Sequence, residues 1–509
     1  MAGVLSILSE HPSHILAIAF GTAVLWQLLL AGYNLFLHPL RRFPGPVLQR
    51  ASPLIWAWQH ATGYQAFRTQ LLHDRYGPIV RISPNHLSFT DVTAWKDIYG
   101  FQIGKELAEN EIPKSKLFST TIKNLPTSII NAEREEHQRY RRALSHGFSD
   151  SSMRAQEGII MKYIDKLISR LHENCDGKEA LQAPLNVEAW YNWTTFDIAG
   201  DLIFAQSFGC LDRSDYHPWI AFIFKTIRYN AIMTAMKYIG LDPVVQGLFR
   251  IGGLAAMMQL RESTDKMMQT RLDMDPDRKD LFEGLLRKKE EWNLSFEQLS
   301  ANGLILVLAG SETTATTLAG TTYLLLRDPK VLQKLNEEVR SSFNDSSEIT
   351  INSVSKLSYM LAVLNEALRM YPPVTSNLIR EVPEFGCQIG AEHVPQGTFV
   401  EIQQWSANHS PDNWTKPWEF RPERFLETNK EEHNHLDALQ AFSVGPRNCI
   451  GKNLAYAEMR LILARIVFDF DLQLAEGNGS WIQRQRAFGL WDRIPLNVYL
   501  KPVAREARA

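Results

Sequence analysis

Phe442-Ser443-Val444-Gly445-Pro446-Arg447-Asn448-Cys449-Ile450-Gly451 is the most informative stretch of this 509-residue chain. It leads into an apolar segment, Leu454 to Phe468, whose spacing predicts a helix beginning near Ile450. A cysteine at a helix start meets free N–H groups and the positive end of the helix dipole, which favour a thiolate. Gly445 and Gly451 let the backbone turn tightly and approach a flat partner. Arg447 offers a planar fork that suits a carboxylate, and Phe442 places an aromatic face near the sulfur. The competing reading is a loop carrying an inert buried cysteine. Five specified residues in a ten-residue window weigh against it, because a chance match at about 1/20 each is on the order of one in ten thousand for such a chain.

Composition narrows the class. Lys and Arg number 54 against 56 Asp and Glu, a formal net charge of −2. No basic stripe suggests a nucleic-acid binder, and no run of like charge suggests a disordered tail. With 22% charged and 45% hydrophobic residues the chain is ordinary for a globular protein. The four cysteines, Cys175, Cys210, Cys387 and Cys449, are far apart and lack zinc spacing. A disulfide scaffold is implausible at that density, so all but Cys449 are expected to be buried fillers.

Ile15 to Leu37 is uncharged, mostly apolar and long enough for a bilayer core of about 20 helical residues. A signal peptide would have a basic start and a shorter apolar run. Arg41 and Arg42 follow directly, which places the rest of the chain on the cytoplasmic side. Phe43-Pro44-Gly45-Pro46 then predicts a stiff, non-helical joint. The sequons at Asn192, Asn293, Asn344, Asn408, Asn413 and Asn478 should therefore carry no glycan.

Helices are predicted over Phe296–Leu326, Lys330–Phe343, Leu357–Tyr371 and Leu454–Phe468, with stops at Asp328-Pro329 and Pro372-Pro373. Strands are predicted at Ile79–Ile82, His86–Phe89, Thr398–Ile402 and Leu496–Leu500. Length alone suggests about three domains of ~150 residues. No repeat or linker divides the chain, so the reading is a membrane anchor over 1–38 and one domain over 39–509.

The cysteine stretch resembles that of the cytochrome P450 family. The resemblance implies a mainly α fold with small β-sheets after one transmembrane helix, and a haem b whose iron is ligated by the Cys449 thiolate. Arg447 would pair with a haem propionate, Phe442 would cover the sulfur side of the ring, and Gly451 would leave room for it. Glu366-Ala-Leu-Arg369, at i and i+3 on one helix face, and Arg424 in Phe420-Arg-Pro-Glu-Arg-Phe425 match the family's buried ion cluster. Ala309-Gly-Ser-Glu312-Thr313-Thr matches its oxygen-activating turn, with Thr313 as the proton-relaying alcohol and Glu312 as its acid partner. Taken alone that turn could face solvent. In Glu136-His137-Gln-Arg-Tyr-Arg141-Arg142, Arg141 would meet a propionate, and His137 stands where the family often has Trp. A basic solvated helix face is the competing reading there. Arg380 resembles another propionate-pairing position.

Asn192-Trp-Thr-Thr-Phe-Asp-Ile-Ala-Gly-Asp201 through Gly209-Cys-Leu211 is similar to a fungal branch rich in secondary-metabolite oxygenases, the isotrichodermin C-15 hydroxylase type included. No Gly-x-Gly-x-x-Gly follows a strand to hold a dinucleotide. Electrons would thus come from another protein, which the resemblance implies is NADPH–cytochrome P450 reductase, with cytochrome b5 as a second donor, at the endoplasmic reticulum membrane. The substrate would be a lipophilic terpenoid, polyketide or alkaloid. Family topology puts its pocket at Phe101–Ile130, Phe222–Met236, Leu304–Ala309, Val374–Leu378 and Phe488–Trp491. Two rival readings are a haem-thiolate isomerase or dehydratase needing no external electrons, and a non-catalytic haem-binding membrane protein. Glu312-Thr313 favours the monooxygenase.

Overall fold

The computed structural model describes residues 12–101, 111–119, 126–175, 183–248, 255–274, 278–375, 378–426 and 434–503. Its centre is one helix, Phe296–Arg327, of 32 residues, roughly 48 Å long at 1.5 Å per residue. A capping box starts it. The Ser295 hydroxyl accepts from the Gln298 N–H at 3.2 Å, and the Gln298 side chain accepts from the Ser295 N–H at 2.9 Å. At the other end the Asp328 carboxylate accepts from the N–H groups of Lys330 and Val331, opening the next helix, Pro329–Ser342.

The second half of the long helix is buried although it is rich in threonine. Its hydroxyls solve the burial problem locally. Thr316 donates to the Glu312 carbonyl at 2.7 Å, Thr317 to that of Thr313 at 2.9 Å, and Thr321 to that of Thr317 at 2.7 Å. Each polar group thus finds a partner one turn back, avoiding the cost of an orphaned hydroxyl. The helix packs most extensively on Val187–Phe204, itself almost wholly buried. Helices Ser358–Met370 and Lys452–Asp469 also pack against it.

The predicted helices lie within a few residues of the observed ones, as expected for frayed ends. His86–Phe89 is the middle of a small sheet, antiparallel to Ile79–Ser83 and parallel to Phe399–Ile402, with His86 opposite Phe399. Arg380–Glu381 completes it. A second sheet pairs Asn497–Pro502 with Phe470–Leu474 and Leu185–Asn186. The fold is therefore mainly helical with small sheets, as the sequence predicts.

The N-terminal helix spans Pro12–Phe36, and its Ala17–Phe36 segment is 20 residues long with none of it buried. The joint after it is fixed. The Arg81 N–H donates to the Pro44 carbonyl at 2.7 Å, and the Arg81 guanidinium donates to the Asn34 carbonyl at 2.9 Å. A Cβ on Gly45 would stand 2.3 Å from the Arg81 carbonyl oxygen, so only glycine fits.

Candidate active site

The cysteine stretch folds back on itself. The Cys449 N–H donates to the Phe442 carbonyl at 2.8 Å and the Asn448 N–H to that of Gly445 at 3.2 Å. Gly445 has φ +77°, and a Cβ there would lie 2.0 Å from the Tyr99 carbonyl oxygen. Gly451 differs from expectation. Its backbone is ordinary at φ −86°, and a Cβ would meet only Phe148 and the Cys449 sulfur at normal contact distances. The constraint at Gly451 therefore comes from whatever lies over the sulfur, not from the chain.

Cys449 is three residues ahead of helix Lys452–Asp469. Its sulfur opens into an internal cavity of about 340 Å³. Burial pushes the thiol pKa up, against the Gly451 N–H, Arg141 and Lys452, which pull it down. Arg141 clamps the loop: its guanidinium donates to the Asn448 carbonyl at 2.6 Å and to the Asn448 side-chain oxygen.

The same cavity is lined by Ala309, Gly310, Thr313 and Thr317 of the long helix, with Phe442 and Gly451 of the loop. A Cβ on Gly310 would meet nothing within 4 Å, so the glycine widens the cavity. The helix runs unbroken through it, and the Thr313 hydroxyl donates to the Ala309 carbonyl at 2.7 Å. Glu312 does not line the cavity. Its carboxylate turns to Arg493, 2.8 Å away, and its pKa is pushed up to about 7, chiefly by burial and by Glu188, against Arg493.

Cations gather beside the cavity. Arg447, Arg141, His137 and Lys114 line it, and Arg380 adjoins it through Glu111, 3.9 Å away. Glu111 also holds Arg447 at 3.0 Å. Among the described residues one carboxylate does not balance this cluster. Burial and then Arg447, Lys114, Arg141 and Arg380 push the His137 pKa down to about 3. Burial, Arg447 and Arg380 take Lys114 down to about 7, against Glu111. His137 is therefore neutral here and offers a ring N–H, not a charge. The residues fit a flat group with two carboxylates beside the cations, apolar walls and a sulfur below it. Among the described residues no cluster of three or more His, Cys, Asp or Glu could hold a bare metal ion, so an iron on Cys449 needs a macrocycle for its other ligands.

Glu366, Arg369 and Arg424 meet in the core with no exposure. Arg369 makes a two-pronged pair with Glu366 at 2.8 Å for each bond, and Arg424 reaches Glu366 at 3.0 Å. The second positive charge is absorbed by backbone. Arg369 donates to the Asn408 and Pro417 carbonyls at 2.6 and 2.8 Å, and Arg424 to the Thr415 carbonyl at 3.0 Å. The cluster thus grips the segment ahead of the cysteine loop. It connects to the chain leading into that loop through Asn434, whose oxygen accepts from Arg424 at 2.7 Å.

Among the described residues, none of the expected pocket segments Phe222–Met236 and Phe488–Trp491 lines the cavity. Trp491 stacks on Tyr371 at 4.6 Å and donates to the Pro372 carbonyl at 2.8 Å, so it stands behind the wall formed by Pro373 and Val374. Residues 102–110, 120–125, 376 and 377 of the other expected segments lie outside the described residues. The sequence reading missed Lys114, Glu111, Glu188 and Arg493, which carry no local motif. It also missed Glu458, a buried carboxyl lining the cavity, whose pKa burial pushes up to about 8. An acid on the inward face of the Leu454–Phe468 helix was the signal available.

A family model described as Cytochrome P450 matches residues 46–495. The chain is 46% identical over 485 residues to a cytochrome P450 monooxygenase of Talaromyces stipitatus, covering 95% of this chain and 94% of that one. It is 43% identical to averantin hydroxylase of Dothistroma septosporum, covering 95% and 90%. It is 39% identical to trichothecene C-15 hydroxylase of Fusarium sporotrichioides, covering 96% and 98%.

Proposed function

This chain belongs to the cytochrome P450 family, and from that membership we propose that it inserts one atom of dioxygen into a lipophilic secondary-metabolite intermediate at a haem held by Cys449. It is a P450 monooxygenase of the fungal secondary-metabolism type, and the family implies a haem-thiolate cofactor and a reductase partner. The observation that carries the residue assignment is one cavity shared by the Cys449 sulfur, the Ala309–Thr313 turn and an unbalanced cation cluster.

Bound there, haem b supplies the electron and oxygen chemistry, and a thiolate ligand favours O–O cleavage. The protein's own residues do the rest. Arg447, Arg380, Arg141 and Lys114 receive the propionates, with His137 as a neutral donor. Phe442 covers the sulfur side. Gly310 leaves space on the opposite side, and Thr313 holds a hydroxyl in it. Glu312 supplies protons toward Thr313. Ile129, Ile130, Ile305, Val374 and Leu378 give the apolar lining that a terpenoid, polyketide or alkaloid intermediate needs.

The exposed Ala17–Phe36 helix supports a single-pass anchor in the endoplasmic reticulum membrane, with the domain cytoplasmic and electrons from NADPH–cytochrome P450 reductase, aided by cytochrome b5. Four sequons, Asn192, Asn408, Asn413 and Asn478, are buried and cannot report orientation. Asn293 and Asn344 are exposed, and a glycan on either would overturn the cytoplasmic placement.

The assignment is tested on the reduced protein with carbon monoxide. A strongly red-shifted Soret band is expected, lost in Cys449→Ser, and a histidine-type band would sink it. With reductase, NADPH-dependent oxygen uptake coupled to product is expected, with spectral titration by terpenoid, polyketide and alkaloid intermediates choosing the substrate.

A further inference from the structure

The Glu312 carboxylate does not face the cavity it is meant to serve. It belongs to a buried group of three charges. Arg493 Nη2 stands 2.8 Å from Glu312 Oε2, and Arg493 Nε stands 2.9 Å from Glu188 Oε1. Glu188 and Glu312 are 8% and 2% exposed. Two carboxylates share one guanidinium, so the group is one positive charge short, and a buried site of that kind takes up a proton.

The hydrogen bonds show which acid takes it. Glu188 Oε1 accepts from the Asn192 side-chain N–H at 2.7 Å and also lies 2.9 Å from the cationic Arg493 Nε. Glu312 has one donor, and its Oε1 is buried without a partner among the described residues. The better-solvated anion is therefore Glu188, and the proton belongs on Glu312.

The same geometry makes Glu312 the member that can leave. Without its side chain, Arg493 still has Glu188, the backbone carbonyl of Glu312 at 3.1 Å and the Thr316 hydroxyl. No charge is stranded when the Glu312 side chain swings away.

We propose that Glu188 is a positioning residue for proton delivery: it competes for Arg493, keeps Glu312 protonated, and holds Arg493 in place while Glu312 turns toward Thr313. This rests on the reading of Glu312 as the acid of the site. In the step, the Glu312 O–H bond breaks and its proton passes to a hydroxyl or water beside Thr313. The carboxylate left behind pairs with Arg493 again, and a solvent proton restores the acid. Besides Glu188 and Arg493, the titratable groups around the three charges are Tyr216 and Tyr371. Tyr216 accepts from the Asn192 side chain at 3.2 Å, and Tyr371 donates to Gln485 at 2.6 Å. Burial raises both phenols, which stay neutral.

The test is infrared titration of the haem-loaded protein in the carboxyl-stretching region, over about pH 5 to 9. A band assigned by its loss in Glu312→Gln should titrate near 7, and a second band lost in Glu458→Gln should titrate near 8. In Glu188→Gln the first midpoint should fall by about one pH unit or more, because an unshared guanidinium favours the anion. With reductase and NADPH, the share of electrons lost as hydrogen peroxide should rise, and its pH profile should move down with the midpoint. An unchanged midpoint in Glu188→Gln overturns the proposal, as does a first band that survives Glu312→Gln. If Glu188→Gln does not take up haem, Glu188→Asp serves, since its shorter side chain draws the anion back from Arg493 and leaves the guanidinium to Glu312; the Glu312 midpoint should again fall, and an unmoved one overturns the proposal. A midpoint shift as expected, with Glu312→Gln still making product normally, would instead refute Glu312 as the acid.

Discussion

Two buried ion networks in this protein have opposite stoichiometry. Around Glu366, two guanidiniums share one carboxylate, and the surplus positive charge is spread over backbone carbonyls from Asn408 to Glu419. Around Arg493, two carboxylates share one guanidinium, and one oxygen of Glu312 has no donor among the described residues. A surplus of guanidinium has somewhere to go, because carbonyl oxygens are everywhere in a folded chain and arginine has five donors to satisfy. A surplus of carboxylate is relieved most simply by a proton. On the proposed reading the first network is a fastening and the second a proton store.

Substitution in each should separate these roles, and the largest effect belongs to the first. Arg369→Ala removes one side of a pair buried on all sides and should cost about 3–5 kcal/mol. The haem-to-protein ratio after purification should collapse with it, and full haem content with an unchanged melting temperature would break the comparison. Glu366→Gln should behave alike, since it leaves two guanidiniums with no anion between them.

Glu312→Gln should be milder for the fold and severe for chemistry. The expected result is normal haem content, a normal carbon monoxide band and product formation down by about 10²-fold or more, the range for losing a general acid. Thr313→Ala should show the same pattern, with oxygen consumption continuing as peroxide. Loss of the carbon monoxide band in Glu312→Gln would mean that the second network also fastens the fold.

The smallest effect concerns pH. Glu312 and Glu458 have folded-state pKa values of about 7 and about 8, both above the usual carboxyl range. The native state therefore binds their protons more tightly than the unfolded chain. Their stabilising contribution is complete below about pH 4.5 and is lost as pH rises through 7 and 8. The melting temperature of the holoprotein should drift down over that window. Glu458→Gln should flatten the upper part of the drift, and an equal slope in wild type and variant would count against the raised pKa.

Much of the fold was legible because its signals are local. A proline after an aspartate stops the long helix, and short β-type runs mark the sheet. The short strands at Leu185–Asn186 and Arg486–Asp492 were not legible, since two or three residues carry no periodicity. Within the site, Glu366 and Arg369 are one helical turn apart, so spacing alone put them on one face. Gly451 was read as a backbone requirement and proved to be ordinary backbone beside the sulfur. Phe488–Trp491 was read as pocket and proved to stand behind its wall, because Trp491 stacks on Tyr371.

The sequence by itself determined the cysteine loop, the threonine-bearing helix, the Glu366–Arg369 pair and the apolar N-terminal helix, because each is a contiguous pattern whose physics acts over a few residues. Only the tertiary structure decided where the acid of the site points. Glu312 and Arg493 are 181 positions apart, and Glu188 comes from a third segment. No local rule couples them. Packing the long helix against Val187–Phe204 and the chain end brings two carboxylates to one guanidinium, and that turns the Glu312 carboxylate away from the cavity.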